Sequence, residues 1–466
     1  MCSRLDATAQ AELVRRGEAQ AEELVAAACE RIERLDGRLG AVPVRFFAEA
    51  ALRAQALPPG GELRGVPFLM KDVGARQAGQ PYYAGNRALR DADHRAKEDT
   101  PLGARFRELG LVTVGNSSSP EFGLQSNTWP LAYGPTRNPW DPARAAGGSS
   151  GGACAAVASG MVPVAHASDG AGSIRIPAAW CGLVGLKPSR DRVLWRLRAG
   201  RPEVEFAVAR TLRDTAALLD ALRPASARRK SPQGYRSALR ADPGRLRVGT
   251  CNRSPAGTPV HAACVAAVEA TAAALSARGH EVEEAAPDSL FEYEERAAHG
   301  AVLGPLGYRE VLLDLEQHLG RAVGPEDVEP FLWEWASLAT ADAGARQRAV
   351  AFARGWVQRT LGWFERFAVL VTPTVCEPAP PLEDFDPHRL GPVELMARMV
   401  PHMAFTEPWN ATGQPALSLP LGWSDAGLPV GVQLVAAPGR EDLLLALAAG
   451  LLEDLGRPER LPAVHA

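Results

Sequence analysis

Between Gly147 and Pro188 the chain is built almost entirely from small residues. Two glycine–serine loops, Gly147-Gly148-Ser149-Ser150-Gly151-Gly152 and Ser168-Asp169-Gly170-Ala171-Gly172-Ser173, flank a helix of small side chains from Ala153 to Ser159. Such residues let backbone approach backbone or ligand closely, and serine-rich loops expose main-chain N–H groups. This stretch is therefore one where backbone can pack closely on backbone or on a bound molecule.

The flanking sequence alternates short apolar runs with helical periodicity. Gly65 to Met70 reads as a buried strand ending in the charges Lys71-Asp72. Pro101–Leu109 reads as a helix, followed by the strand Leu111–Val114 and a turn at Gly115-Asn116. Strands are expected again at 246–249, 281–282, 367–371, 415–420 and 430–435, with helices at 265–278, through much of 290–365, and from Glu441. Residues 1–57 read as helices, with Leu24, Ala28, Ile32 and Leu35 at helical spacing and Gly37 placed to end that helix. Arg223–Ser231 reads as a surface loop. Strand and helix alternating at this spacing indicate an α/β sheet, and a large α/β core can absorb 466 residues as one domain.

Charge narrows the function. With 51 basic and 54 acidic side chains the net charge is −3, so no field of one sign exists to hold nucleic acid or an anionic membrane. No apolar run reaches the roughly 18 residues that span a bilayer, and the first residues lack an apolar leader. Seven cysteines without CxxC spacing read as reduced thiols. The expectation is a cytoplasmic protein.

Several familiar motifs fail on inspection. The nine histidines show no HxH or HExxH spacing, so no metal site is expected. Gly182–Pro188 has the wrong glycine spacing for a phosphate loop and no Ser/Thr for magnesium. Gly148-Ser149-Ser150-Gly151-Gly152 satisfies GxSxG, but the motif should join a strand directly to a helix, and loop residues 142–146 precede it.

Taken together, the segments are specific. Lys71 in Gly-Val-Pro-Phe-Leu-Met-Lys-Asp, the Gly147–Gly152 loop, and Asp169-Gly-Ala-Gly-Ser173-Ile-Arg175-Ile-Pro177 resemble the amidase signature family. Cys181-Gly-Leu-Val-Gly-Leu-Lys-Pro188, Gly134–Asp141, Asn410–Ala416 and Gly427–Gln433 agree, so the resemblance covers nearly the whole chain. His166-Ala-Ser-Asp169 and Lys187-Pro-Ser-Arg190 look most like the family's 6-aminohexanoate-cyclic-dimer hydrolase branch.

The resemblance implies one amidase domain over 1–466, with a mixed central β-sheet covered by helices on both faces. Within it, residues 1–57 would pack on the core, 65–215 form the signature core, and 240–466 complete the sheet and the substrate-pocket helices. It also implies a Ser–cisSer–Lys triad: Ser173 as nucleophile, Ser149 as bridging serine and Lys71 as general base. Backbone N–H groups of Gly170, Ala171, Gly172 and Ser173 would form the oxyanion hole, and Ser150, Asp169 and Arg175 would support the turn. Ala171 stands where many members have glycine, and a positive φ there would strain its Cβ. No cofactor or metal is implied.

The chemistry explains the residue types. A serine hydroxyl needs a positioned base, and a free lysine is protonated near neutral pH unless burial disfavours its charge. The expected partner is a small amide substrate, linear or cyclic, without nucleic acid or membrane; oligomeric state stays open, a homodimer being the commonest assembly. Trp180, Trp409 and Phe405 are candidates for an apolar cleft; Cys376 reads either as a buried inert thiol or as part of the pocket lining, and the arginines of 190–201 either as a solvated surface segment or as a rim that favours carboxylate-bearing substrates. The competing readings are the amidase component of a tRNA-dependent amidotransferase and a non-catalytic binder of the same fold.

Overall fold

The computed structural model describes residues 2–193, 203–224, 234–340, 342–456 and 460–466. Its strands are β1 (Val44–Arg45), β2 (Pro67–Lys71), β3 (Val112–Ser117), β4 (Val164–Asp169), β5 (Gly185–Lys187), β6 (Val204–Ala209), β7 (Arg247–Thr250), β8 (Glu281–Glu284), β9 (Val369–Pro373), β10 (Ala416–Trp423) and β11 (Pro429–Ala436). They form two mixed sheets, ordered β1-β3-β2-β4-β6 and β5-β10-β11-β9-β7-β8. A single antiparallel bridge, Val184 to Ala209, joins the end of one sheet to the start of the other. The α/β architecture expected from the sequence is present, with its sheet in two segments.

Local rules account for the elements that position the site. β2, β3 and β6 are buried at every position and β4 at all but Ser168, so none shows the buried–exposed alternation of a strand with one face in water. β2 runs parallel to both β3 and β4, which brings their C-terminal ends to one edge. β6 returns antiparallel to β4, pairing Asp169 with Val204 and Ser168 with Glu205, so its first residues lie at that same edge. In open α/β sheets the carboxyl edge is where ligands bind. The helix Gly151–Ala158 is buried at all eight positions, as only its small side chains permit.

Two boundaries differ from the sequence reading. The helix Ala21–Leu39 runs through Gly37 and stops at Gly40, whose φ is 61°. A Cβ on Gly40 would lie 2.7 Å from the Pro135 carbonyl oxygen, whereas Gly37 meets nothing within 4 Å, so close packing selects the stop. Gly115-Asn116 continues β3 instead of turning, because the Asn116 amide donates to the Pro81 carbonyl (2.9 Å) and is held inside. Most of the Arg223–Ser231 segment lies outside the described residues. Among the described residues, no helix is long and apolar enough to cross a membrane, and the six cysteines whose side chains are described are free.

Candidate active site

Lys71 ends β2 with 1 % of its surface exposed, so it is not the surface ion pair that a Lys-Asp dipeptide suggests. Its Nζ donates to Ser149 Oγ at 2.7 Å and to Ser168 Oγ at 2.8 Å. Burial lowers its pKa to about 8, against the opposing pull of the Glu205 and Asp169 carboxylates. Asp72 is also buried and faces away, accepting from Gly85 N–H (2.9 Å) and Tyr133 Oη (2.8 Å); desolvation raises its pKa to about 6.

The Gly148–Ser149 peptide is cis. Ser150 bonds outside its own loop, its Oγ donating to the Ser168 carbonyl (3.2 Å) and its N–H to the Ser173 carbonyl (3.2 Å). That second bond seats the Ser149–Ser150 loop against the Ser173 turn. Ser149, Ser168, Gly170, Ala171 and Ser173 line one cavity of about 350 Å³.

Asp169 and Arg175 fix the turn that presents Ser173. The Asp169 carboxylate accepts from Gly172 N–H (2.8 Å) and Ile174 N–H (3.1 Å) and from Arg175 through Nε (2.9 Å) and Nη2 (2.8 Å). Both side chains are fully buried. Asp169 is held near pKa 2, because the Arg175 guanidinium and its hydrogen bonds outweigh a desolvation that on its own would raise it. Arg175 then reaches across to the second sheet, donating to the Thr406 carbonyl (2.8 Å), Gln433 Oε1 (2.8 Å) and Asn410 Oδ1 (2.7 Å). Thr406 Oγ1 donates to the Ala171 carbonyl at 2.7 Å.

The strain anticipated at Ala171 does not arise. The positive φ falls on Gly172, at 132°, where an added Cβ would also lie 2.3 Å from Thr406 Oγ1. Of the four anticipated oxyanion donors, Gly172 has its N–H engaged by Asp169.

Other assignments change. Trp180 and Trp409 are core residues, donating through Nε1 to the Glu377 and Phe405 carbonyls (3.0 and 2.7 Å), and neither they, Phe405 nor Cys376 line the cavity. Arg190 is tied to the Asn410 carbonyl (2.8 Å) and Arg192 to Glu441 (3.2 Å), so neither rims the cavity; Arg196, Arg198 and Arg201 lie outside the described residues. The apolar wall comes instead from Phe122, Leu124, Tyr308, Val311, Met396, Met399 and Met403.

The sequence reading also missed the floor beneath Lys71. The Lys71 backbone N–H donates to His166 Nδ1 (3.1 Å), which leaves the Nε2 proton of a neutral ring pointing at Glu205. Glu205 follows no motif; only its register opposite Ser168 reveals it.

This arrangement joins a buried amine to the hydroxyls of Ser149 and Ser168 in the cavity that also holds Ser173. The sequence profile described as Amidase matches residues 23–445. The chain belongs to the amidase signature family. It is 37% identical over 465 residues to a 6-aminohexanoate-cyclic-dimer hydrolase from Paenarthrobacter ureafaciens, covering 96% of this chain and 94% of that protein. A solved structure of 6-aminohexanoate cyclic dimer hydrolase complexed with substrate superposes with a TM-score of 0.94 at 34% identity, covering both chains fully. A glutamyl-tRNA(Gln) amidotransferase chain from Thermotoga maritima gives 0.75 at 22% identity, over 100% of this chain and 99% of its own, a likeness of fold alone. As a family member the protein is a hydrolase of amide bonds.

Proposed function

We propose that this amidase cleaves a small carboxylic amide through an acyl-enzyme on Ser173, with Ser149 and Lys71 relaying the proton. The observation that carries the proposal is the 2.7 Å bond between Ser149 Oγ and a buried Lys71 Nζ whose pKa lies about 8. At neutral pH a working fraction of such a lysine is unprotonated, as a general base must be. Neutral Lys71 takes the Ser149 proton while Ser149 takes that of Ser173, whose Oγ attacks the carbonyl carbon. The relay then runs backwards, and Lys71 returns the proton through Ser149 to the departing amine. Water, activated by the same pair, cleaves the Ser173 ester.

The developing oxyanion is met by backbone N–H groups of Gly170, Ala171 and Ser173, with Gly172 left to hold the turn. Losing one such donor raises the barrier by about 3–4 kcal/mol. Asp169, Arg175 and Ser150 keep the donors and the nucleophile in place. The whole chain works as one amidase unit, without metal or cofactor. The full-length relatives at 37% identity favour a free-standing hydrolase of a small, cyclic or linear, aliphatic amide over a component of an amidotransferase.

Quenching turnover of a slowly deacylating aryl amide and mapping the adduct by mass spectrometry tests this. The acyl mass is expected on the peptide bearing Ser173; an adduct on Ser149 or none on either serine overturns the assignment.

A further inference from the structure

The cavity contains a carboxylate that the proposed relay does not use. Glu203 immediately precedes β6 and so reaches the catalytic edge opposite the end of β4. Its side chain lies against the turn: a Cβ built on Gly170 would be 3.1 Å from Glu203 Cγ. Glu203 lines the cavity with Ser173, yet its Oε2 is shut off from solvent and meets no hydrogen-bond partner among the described residues. Its neighbour on the same face, Glu205, is engaged by His166. The other charged groups of the lining have neighbours of their own: Arg76 packs on the Tyr82 ring at 4.6 Å, Tyr82 and His318 are ring neighbours, and Asp314 acts electrostatically on His318.

A buried carboxylate oxygen without a donor is costly, and the cost is recovered when a bound molecule supplies an N–H. We infer that Glu203 is a specificity residue that accepts a hydrogen bond from a second N–H of the substrate, an ammonium or a second amide, next to the scissile bond. The preferred substrates are therefore diamides or aminoacyl amides rather than simple alkyl amides. The inference rests on the amidase reading of this cavity. It also reverses the carboxylate preference suggested by the arginine-rich 190–201 segment.

The test uses two matched pairs followed by amine release. One pair places the donor on the acyl side, 6-aminohexanoyl against heptanoyl p-nitroanilide. The other places it on the amine side, hexanoyl-1,6-diaminohexane against N-heptylhexanamide. N-acetylation of each free amine separates ammonium from neutral N–H recognition. The native enzyme is expected to favour the donor member of at least one pair by about 10- to 100-fold in kcat/KM, chiefly through KM, as a charge-assisted hydrogen bond gives. In Glu203→Leu that ratio falls to within about threefold of unity; in Glu203→Gln it falls for the ammonium substrate and is retained in part for the acetylated one. Equal efficiency in both pairs, or a preference that survives in both variants, overturns the inference while leaving the amidase reading intact. A native enzyme that cleaves none of the four overturns both.

Discussion

The two walls of the cavity are built on different principles. On the signature side, Lys71, Ser149, Ser168, Asp169 and Arg175 are tied to named partners at 2.7–3.4 Å; burial lowers the pKa of Lys71, and the Arg175 guanidinium lowers that of Asp169 against its burial. On the opposite side, the helices Tyr293–Leu319 and Pro392–Met403 contribute Tyr308, Val311, Met396, Met399 and Met403. Methionine has three rotatable bonds and a polarisable sulfur, so it adapts to varied shapes. On the proposed reading the rigid wall carries the chemistry, with Glu203 beside it reading a polar group of the substrate, and the compliant wall accommodates the substrate's apolar shape.

The sharpest way to break that division is Lys71→Ala. Turnover is expected to fall on the order of 10⁴-fold or more, as when one member of a catalytic relay is removed, while the far-ultraviolet circular dichroism spectrum is retained. Undiminished amine release would show that the rigid wall does not carry the proton.

Arg175→Ala should be felt in folding as well as rate. It strands the Asp169 carboxylate in a site closed to water, a loss of about 3–5 kcal/mol, read as a fall in the urea midpoint together with turnover. A variant that lost turnover but kept its midpoint would make Arg175 a group acting on the substrate instead.

Acidity offers a milder probe. Burial lowers Lys71 to about 8, and the proposed relay needs it neutral, so kcat/KM should fall about tenfold per pH unit below that value on a single-proton limb. A profile flat from pH 6 to 9 would sink the assignment.

Away from the chemistry, the buried Glu121 and Glu329 meet: the Glu329 N–H donates to Glu121 Oε2 at 2.8 Å. Burial pushes both carboxyls above the ordinary range, and Glu329 pushes Glu121 further. Raised carboxyl pKa values mean that the folded state holds protons the unfolded chain has released. The stability they contribute is present at acid pH and is lost as pH climbs from the ordinary carboxylate range towards neutrality. Glu121→Gln should flatten that decline in a series of thermal melts; an unaltered slope would remove the pair from the account.

The smallest effect belongs to the compliant wall. Met396→Ala should reorder a panel of amides, raising KM for the longest by about tenfold, for roughly 1.4 kcal/mol of lost apolar contact. The kcat of the shortest should stay within about twofold. Equal losses across the panel would deny that wall its role in selection.

The rigid wall was legible in the sequence because its residues cluster within short motifs, and parallel strands convert that clustering into one edge. Lys71 and Asp169 could be read 98 positions apart for that reason. Glu203, Glu205 and the methionines carry no motif; they arrive by strand register and by helices whose packing follows only from the assembled chain. The tryptophans misled because a large ring seeks burial whether or not a ligand is near. Gly37 misled because helix propensity is a weak prior beside the close approach at Gly40.

Arg175 holds Asp169 from one sheet and Gln433 from the other in a single grip. The Ser173 turn is thus a keystone, and it cannot slacken without parting the arch on both sides. In a denaturant titration, inactivation and global unfolding should accordingly trace one curve, with no range of concentration in which an intact molecule has fallen idle.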